Sequence, residues 1–221
     1  MKLASYKDLD RCRTKSVRVA KVISTVDPKG ADILKKLDEF NAEDRQGLQF
    51  QEAGVHFLTG DITEENINEA IKWLVSENLR PKDNRVLTLY INSQGGDLYQ
   101  TLALIDIMRV SQTPIRTIGY GSIMSGAFLI LAEGTKGQRY VTKNCGIMCH
   151  QFSMSEEVGK YHDIKATRKE TDRLNQAMLD VLKSSTGLET KVIKSKLMPA
   201  HDVYLTAEEM IEHGAADHIL S

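Results

Sequence analysis

The sequence predicts an α/β domain, and three observations carry that prediction. Apolar runs of strand character alternate with stretches of helical period over most of the 221 residues. Alternation of this kind joins neighbouring strands through crossover helices. The strand runs are also nearly continuous in apolar residues, so both faces of the sheet are covered. Finally, glycine-rich junctions, "NSQGGD" and "GYGSIMSGA", stand where strands should pass into helices.

The elements follow in chain order. Residues 1–53 are polar and charged and read as an N-terminal extension. One short helix is expected there, over 31–44, with Ile33, Leu34, Leu37 and Phe40 as its stripe. The domain, 54–221, begins with a strand in "GVHFLTG" (54–60). Thr63 then opens a helix in which Ile67, Ala70, Ile71, Leu74 and Val75 recur at helical spacing. "RVLTLYINS" (85–93), rich in β-branched and aromatic residues, is a central strand that "QGGD" breaks. Asp97 starts the next helix, with Leu98, Leu102 and Ile105 on one face. "IRTIGYG" is a strand stopped by Gly119 and Gly121, and 125–132 is a helix. "QRYVTKN" and "GIMCHQF" are two further strands. A long charged helix spans about 156–185, with Leu174, Met178, Val181 and Leu182 as its stripe, and ends at Thr186-Gly187. Thr206 and Glu209 form a capping box for a last short helix that stops at Gly214.

The totals narrow the function. A formal net charge of −1 gives no basic surplus for nucleic acid or for a membrane surface. No apolar run reaches transmembrane length, and the first 22 residues lack the apolar core of a secretory signal. Three cysteines suit a reducing compartment, so a cytoplasmic location is expected.

Chemistry gathers at strand-to-helix junctions of such sheets. Ser122 and Ser125 both lie at the second junction. A serine that attacks carbonyls needs a base, an orienting acid and oxyanion donors. Gly95, Gly96 and Gly126 can expose backbone N–H groups beside it. His150, at the end of an apolar strand, is the candidate base. Neither serine sits in a G-x-S-x-G elbow or ahead of an S-x-x-K lysine. Cys145 and Cys149 lie next to His150 in sequence without a fourth ligand, so they read as small packing residues and no metal is expected.

These residues carry a resemblance. "LYINSQGGD", "SGAFLILAEGTKGQRY", "MCHQ" and "YLTAEEMIEHGAADHIL", in that order from about Gly54 to Leu220, resemble the Clp protease proteolytic subunit (ClpP) family of serine peptidases. The resemblance implies a crotonase-like fold of repeated β-β-α units with a protruding handle helix. It places Ser125 on the nucleophile, His150 on the base, and Gly95, Gly96 and Gly126 on the oxyanion segments. Ser122 falls on a variable position and reads as a turn residue. Gln94 and Phe152 stand where the family has prolines. Counting back from "YLTAEE" puts the family's aspartate at Met198, or at Lys196 with the gap moved, and neither is an acid. Asp202 is the nearest carboxylate, and His201 is another polar candidate.

The resemblance further implies an endopeptidase that cleaves unfolded polypeptide inside stacked heptameric rings, possibly a 14-mer. No G-x-x-x-x-G-K-[ST] phosphate loop is present, so no ATP or other cofactor is expected on this chain. An unfoldase of the AAA+ class, such as ClpX or ClpA, would consume the ATP. The competing readings are a catalytically weak or inactive structural subunit of such rings, and a crotonase-type enzyme acting on acyl-CoA.

Overall fold

The computed structural model describes residues 46–47, 49–80, 85–153 and 159–220. The helix expected over 31–44 lies outside them. Residues from Ala53 onward form one compact unit. Its elements are β1 (Val55–Thr59), α1 (Glu64–Asn78), β2 (Leu87–Ser93), α2 (Leu98–Val110), β3 (Ile115–Met124), α3 (Gly126–Ala132), β4 (Arg139–Thr142), β5 (Gly146–Cys149), α4 (Tyr161–Thr186), α5 (Thr190–Lys196), β6 (Val203–Leu205), α6 (Ala207–Glu212) and β7 (His218–Leu220).

The fold is α/β, with the sheet order β1-β2-β3-β4-β7, all parallel. Helix starts follow local chemistry. Thr63 caps α1 in a reciprocal box with Asn66, Asp97 Oδ1 accepts from Gln100 N at 2.9 Å, and Thr206 and Glu209 form the expected box at α6. Helix α3 is buried along its whole length. It explains the apolar run after Ser125: Phe128, Leu129, Ile130 and Leu131 face core on every side.

Strand β3 departs from the expectation. Gly119 and Gly121 do not stop it; it runs on to Met124. A side chain at Gly119 would meet Leu131 Cδ1 at 2.4 Å, so glycine there lets α3 lie close against the strand. Gly121, at φ +64°, bends the chain where the β2–β3 register shifts. Before the bend β3 pairs with β4 through Thr117–Gly119; after it, Ser122–Met124 pair with β5 in parallel. Ser122 is therefore a strand residue rather than a turn residue, its N–H donating to Asn92 Oδ1 at 2.9 Å. The bend points the end of β3, and Ser125 after it, toward the end of β5.

Helix α4 begins at Tyr161 and ends on Gly187 in the left-handed conformation, φ +78°. Its stripe of Leu174, Met178, Val181 and Leu182 is buried within this chain. Helix α3 is among the elements that pack against α4. The exposed apolar residues of α4 are Tyr161 and Ile164, near its start. Helix α5 and strands β6 and β7 were not expected. At three to seven residues each, they are too short to show a period.

Candidate active site

Ser125 sits between β3 and α3 with φ 53° and ψ −122°. It is the one non-glycine residue with positive φ among the described residues. Such a backbone stores on the order of 1–3 kcal/mol and persists only where the surroundings enforce it. Here they do. Ser125 N donates to Met148 O at 2.9 Å, and Ser125 O accepts from Phe128 N at 3.0 Å. The hydroxyl makes no capping bond, which leaves it free to point away from α3.

His150 follows β5 directly. Its Nε2 lies 2.7 Å from Ser125 Oγ. In the tautomer with the proton on Nδ1, the serine hydroxyl donates to Nε2. The imidazole is 18% exposed, enclosed but reachable.

Two glycine positions complete this corner. A Cβ on Gly95 would lie 2.6 Å from Ser125 Cβ, and one on Gly126 would lie 2.4 Å from Thr101 Oγ1. Both segments pack too closely for any side chain. Gly96 is held by a bridge to Ile62: Ile62 N donates to Gly95 O at 2.8 Å, and Asp97 N donates to Ile62 O at 3.0 Å. When a residue's neighbours make the bonds of a parallel bridge, its own N–H turns to the opposite side. Gly96 N–H thus faces away from Ile62. Gly126 N–H is in the first turn of α3, where no intrahelical acceptor exists. Gly96, Ser125, Gly126 and His150 all line one pocket of about 60 Å³, walled by Leu98 and Met178.

Asp202 immediately precedes β6. This strand pairs antiparallel with β5, Cys149 opposite Val203 and Met148 opposite Tyr204. One step further along the ladder, His150 faces Asp202. Asp202 Oδ1 lies 3.8 Å from His150 Nδ1, and the aspartate side chain is 55% exposed. The pair is in ion-pair range but too long for a hydrogen bond. Met198 is buried with its carbonyl accepting from Gln151 Nε2 at 2.9 Å, and Lys196 is exposed. His201 is exposed as well. The register of an unforeseen three-residue strand, rather than distance in sequence, brings Asp202 to His150.

Cys145 and Cys149 are buried free thiols, and no group of metal-ligating side chains occurs among the described residues. Burial raises the Cys149 thiol to about 12 and the Cys145 thiol to about 11. Neither is a nucleophile at neutral pH. No helix among the described residues is long and apolar enough to cross a membrane.

A parallel α/β sheet with a serine on a strained strand-to-helix turn, hydrogen-bonded to a histidine on the next strand, defines a hydrolase-like class of site. Comparison with known proteins gives the family. A model of the Clp protease family matches residues 41–221, and the chain belongs to that family. It is 32% identical over 171 residues to the ATP-dependent Clp protease proteolytic subunit 2 of Mycobacterium tuberculosis, covering 76% of this chain and 78% of that one. It is 30% identical to the subunit 2 of Corynebacterium jeikeium, over 76% and 79% of the two chains. It is 33% identical to the subunit 1 of Bifidobacterium longum, over 66% and 61%. The family and these relatives mark the chain as a peptidase of the Clp type.

Proposed function

We propose that this chain is a serine endopeptidase that hydrolyses unfolded polypeptide, with Ser125 as nucleophile, His150 as base and Asp202 as orienting acid. The 2.7 Å contact between Ser125 Oγ and His150 Nε2 carries the reading. His150 takes the hydroxyl proton as Oγ bonds to the scissile carbonyl carbon. The carbonyl oxygen, now anionic, is held by the N–H groups of Gly96 and Gly126. The imidazolium gives its proton to the leaving amine, and the C–N bond breaks to leave an acyl-enzyme. Water then attacks the ester with His150 again as base, and carboxylate and free Ser125 result. Every step uses side chains and amides of this chain.

The relatives are named as proteolytic subunits of ATP-dependent proteases. This supports a cytoplasmic ring of like chains, heptameric or doubly so, fed by a separate AAA+ unfoldase such as ClpX or ClpA that consumes the ATP. One observation favours a second reading: the 3.8 Å gap from His150 to Asp202 suits a weakly active, structural subunit.

A fluorophosphonate probe separates the two. Wild type and Ser122→Ala should be labelled, and Ser125→Ala should not. Turnover of a fluorogenic peptide should drop on the order of 10⁶-fold in Ser125→Ala, the scale for loss of such a nucleophile. Equal labelling of wild type and Ser125→Ala overturns the mechanism. Absence of labelling in the assembled wild type favours the structural subunit.

A further inference from the structure

A cavity that the chemistry above does not use lies beside Gln151, the residue after His150. It has a volume of about 300 Å³, five times that of the pocket at Ser125. Leu179, Met198 and Pro199 give it apolar walls, and Gln151, Asn175 and Lys194 bring polar groups to it. Two of them offer donors. Asn175 Oδ1 already accepts from Phe152 N at 3.3 Å, which leaves its amide N–H₂ to donate. Lys194 makes no ion pair among the described residues, and an ammonium has only donors. Apolar walls with a cation and an amide donor suit a ligand with a hydrocarbon body and an anionic head.

We propose that this cavity binds an aliphatic carboxylate, its chain against Leu179, Met198 and Pro199 and its carboxylate on Lys194 and Asn175. At about 30 Å³ for each water-sized unit, the space holds about ten non-hydrogen atoms, a medium-length acid. The site also joins both arms of the catalytic corner. Gln151 follows His150 in sequence, and its amide holds Met198 O. Met198 and Pro199 begin the loop that carries Asp202. An occupant therefore bears on the His150 arm and the Asp202 arm together. This coupling rests on the reading of those two residues as a working pair; the binding does not.

Octanoate is the probe, with 1-octanol as its uncharged counterpart, titrated calorimetrically into the full chain. Octanoate should bind saturably, at least tenfold more tightly than octanol. Lys194→Met should weaken octanoate at least tenfold, and Lys194→Arg should restore most of the loss. Lys194 is exposed, so these variants should fold. Equal affinity for octanol and octanoate, no saturation at millimolar concentration, or an unchanged Lys194→Met overturns the site. In spectra of ¹³C-histidine-labelled protein, saturating octanoate should shift the His150 ring resonances in wild type and leave them in place in Lys194→Met. Unshifted His150 resonances in wild type with octanoate bound overturn the coupling. Neither measurement requires Ser125 to react, so failure of the peptidase reading leaves both intact.

Discussion

His150 is held between two regions of opposite construction. On the Ser125 side, a strained residue is pinned by β5, by α3 and by two glycine segments that admit no side chain, and the contact is 2.7 Å. On the Asp202 side, a carboxylate that is 55% exposed stands at 3.8 Å, at the start of a three-residue strand. The place of Ser125 is set by packing, which is close to all-or-none. The place of Asp202 is set by one short antiparallel ladder and a loop, which yield at far lower energy. The chain thus has a rigid half and an adjustable half of one site.

Removing the Asp202 carboxylate gives the sharpest test of that contrast. Asp202→Asn should lower kcat on the order of 10⁴-fold if the gap closes in the working state, the scale for a histidine held in the wrong tautomer. Met198→Asp should bring no gain, because Met198 is buried and its carbonyl is held by Gln151. Kinetics of both variants with one fluorogenic peptide decide the matter. A loss below tenfold in Asp202→Asn would show that the adjustable half does not take part.

The rigid half should break next. Gly95→Ala puts a methyl 2.6 Å from Ser125 Cβ at φ +99°, where side chains are strained anyway. The displaced turn should lose an oxyanion donor, with a fall of about 10² to 10³ in kcat and little change in KM. Gly137→Ala is the control. It shares the positive φ, +82°, but meets nothing within 4 Å, so its kcat should stay near wild type.

The smallest effect concerns the Cys149 thiol, beside His150. The Cys149 thiol titrates near 12 when folded, against 9 in the exposed chain. Below 9 both forms keep the proton and this burial favours the fold in full. Between about 9 and 12 only the folded form keeps it, so that stability is lost as pH rises through this window. Denaturant midpoints of wild type should fall across it more steeply than those of Cys149→Ala. At pH 8, iodoacetamide should leave Cys149 of the native protein unmodified. Rapid modification there would show that β5 opens and that the rigid half is less rigid than its packing.

The same contrast decides what could be read in the sequence. Ser125, His150 and the glycines were legible because tight packing demands particular residue types at fixed offsets, and such demands survive as motifs. Thr101, which lies beneath Gly126, left no signal: a threonine inside a helix looks like any other until α3 is in place. Asp202 could be named but not placed. Its position depends on strand register between β5 and β6, and three residues carry no period. β3 misled for the opposite reason. Gly119 and Gly121 have the composition of a stop, yet each serves a close approach within a continuing strand.

Helix α4 has one more consequence. At 26 residues it is about 39 Å long by the usual rise per residue. Its apolar stripe is buried only from Leu174 onward. Upstream, among the described residues, the bond from Tyr99 Oη to Glu170 Oε1, at 2.8 Å, ties the helix to α2, with Arg173 on the same carboxylate. Those bonds, chiefly from Arg173, draw the Glu170 carboxyl down to about 2. Amide hydrogen exchange should therefore record a gradient along one continuous rod. Deuterium should enter fastest between Tyr161 and Arg168, slow abruptly past the Glu170 anchor, and take longest around Leu182. The helix would carry its own scale of protection, on which anything that later grips the free end could be read as a change in exchange rate.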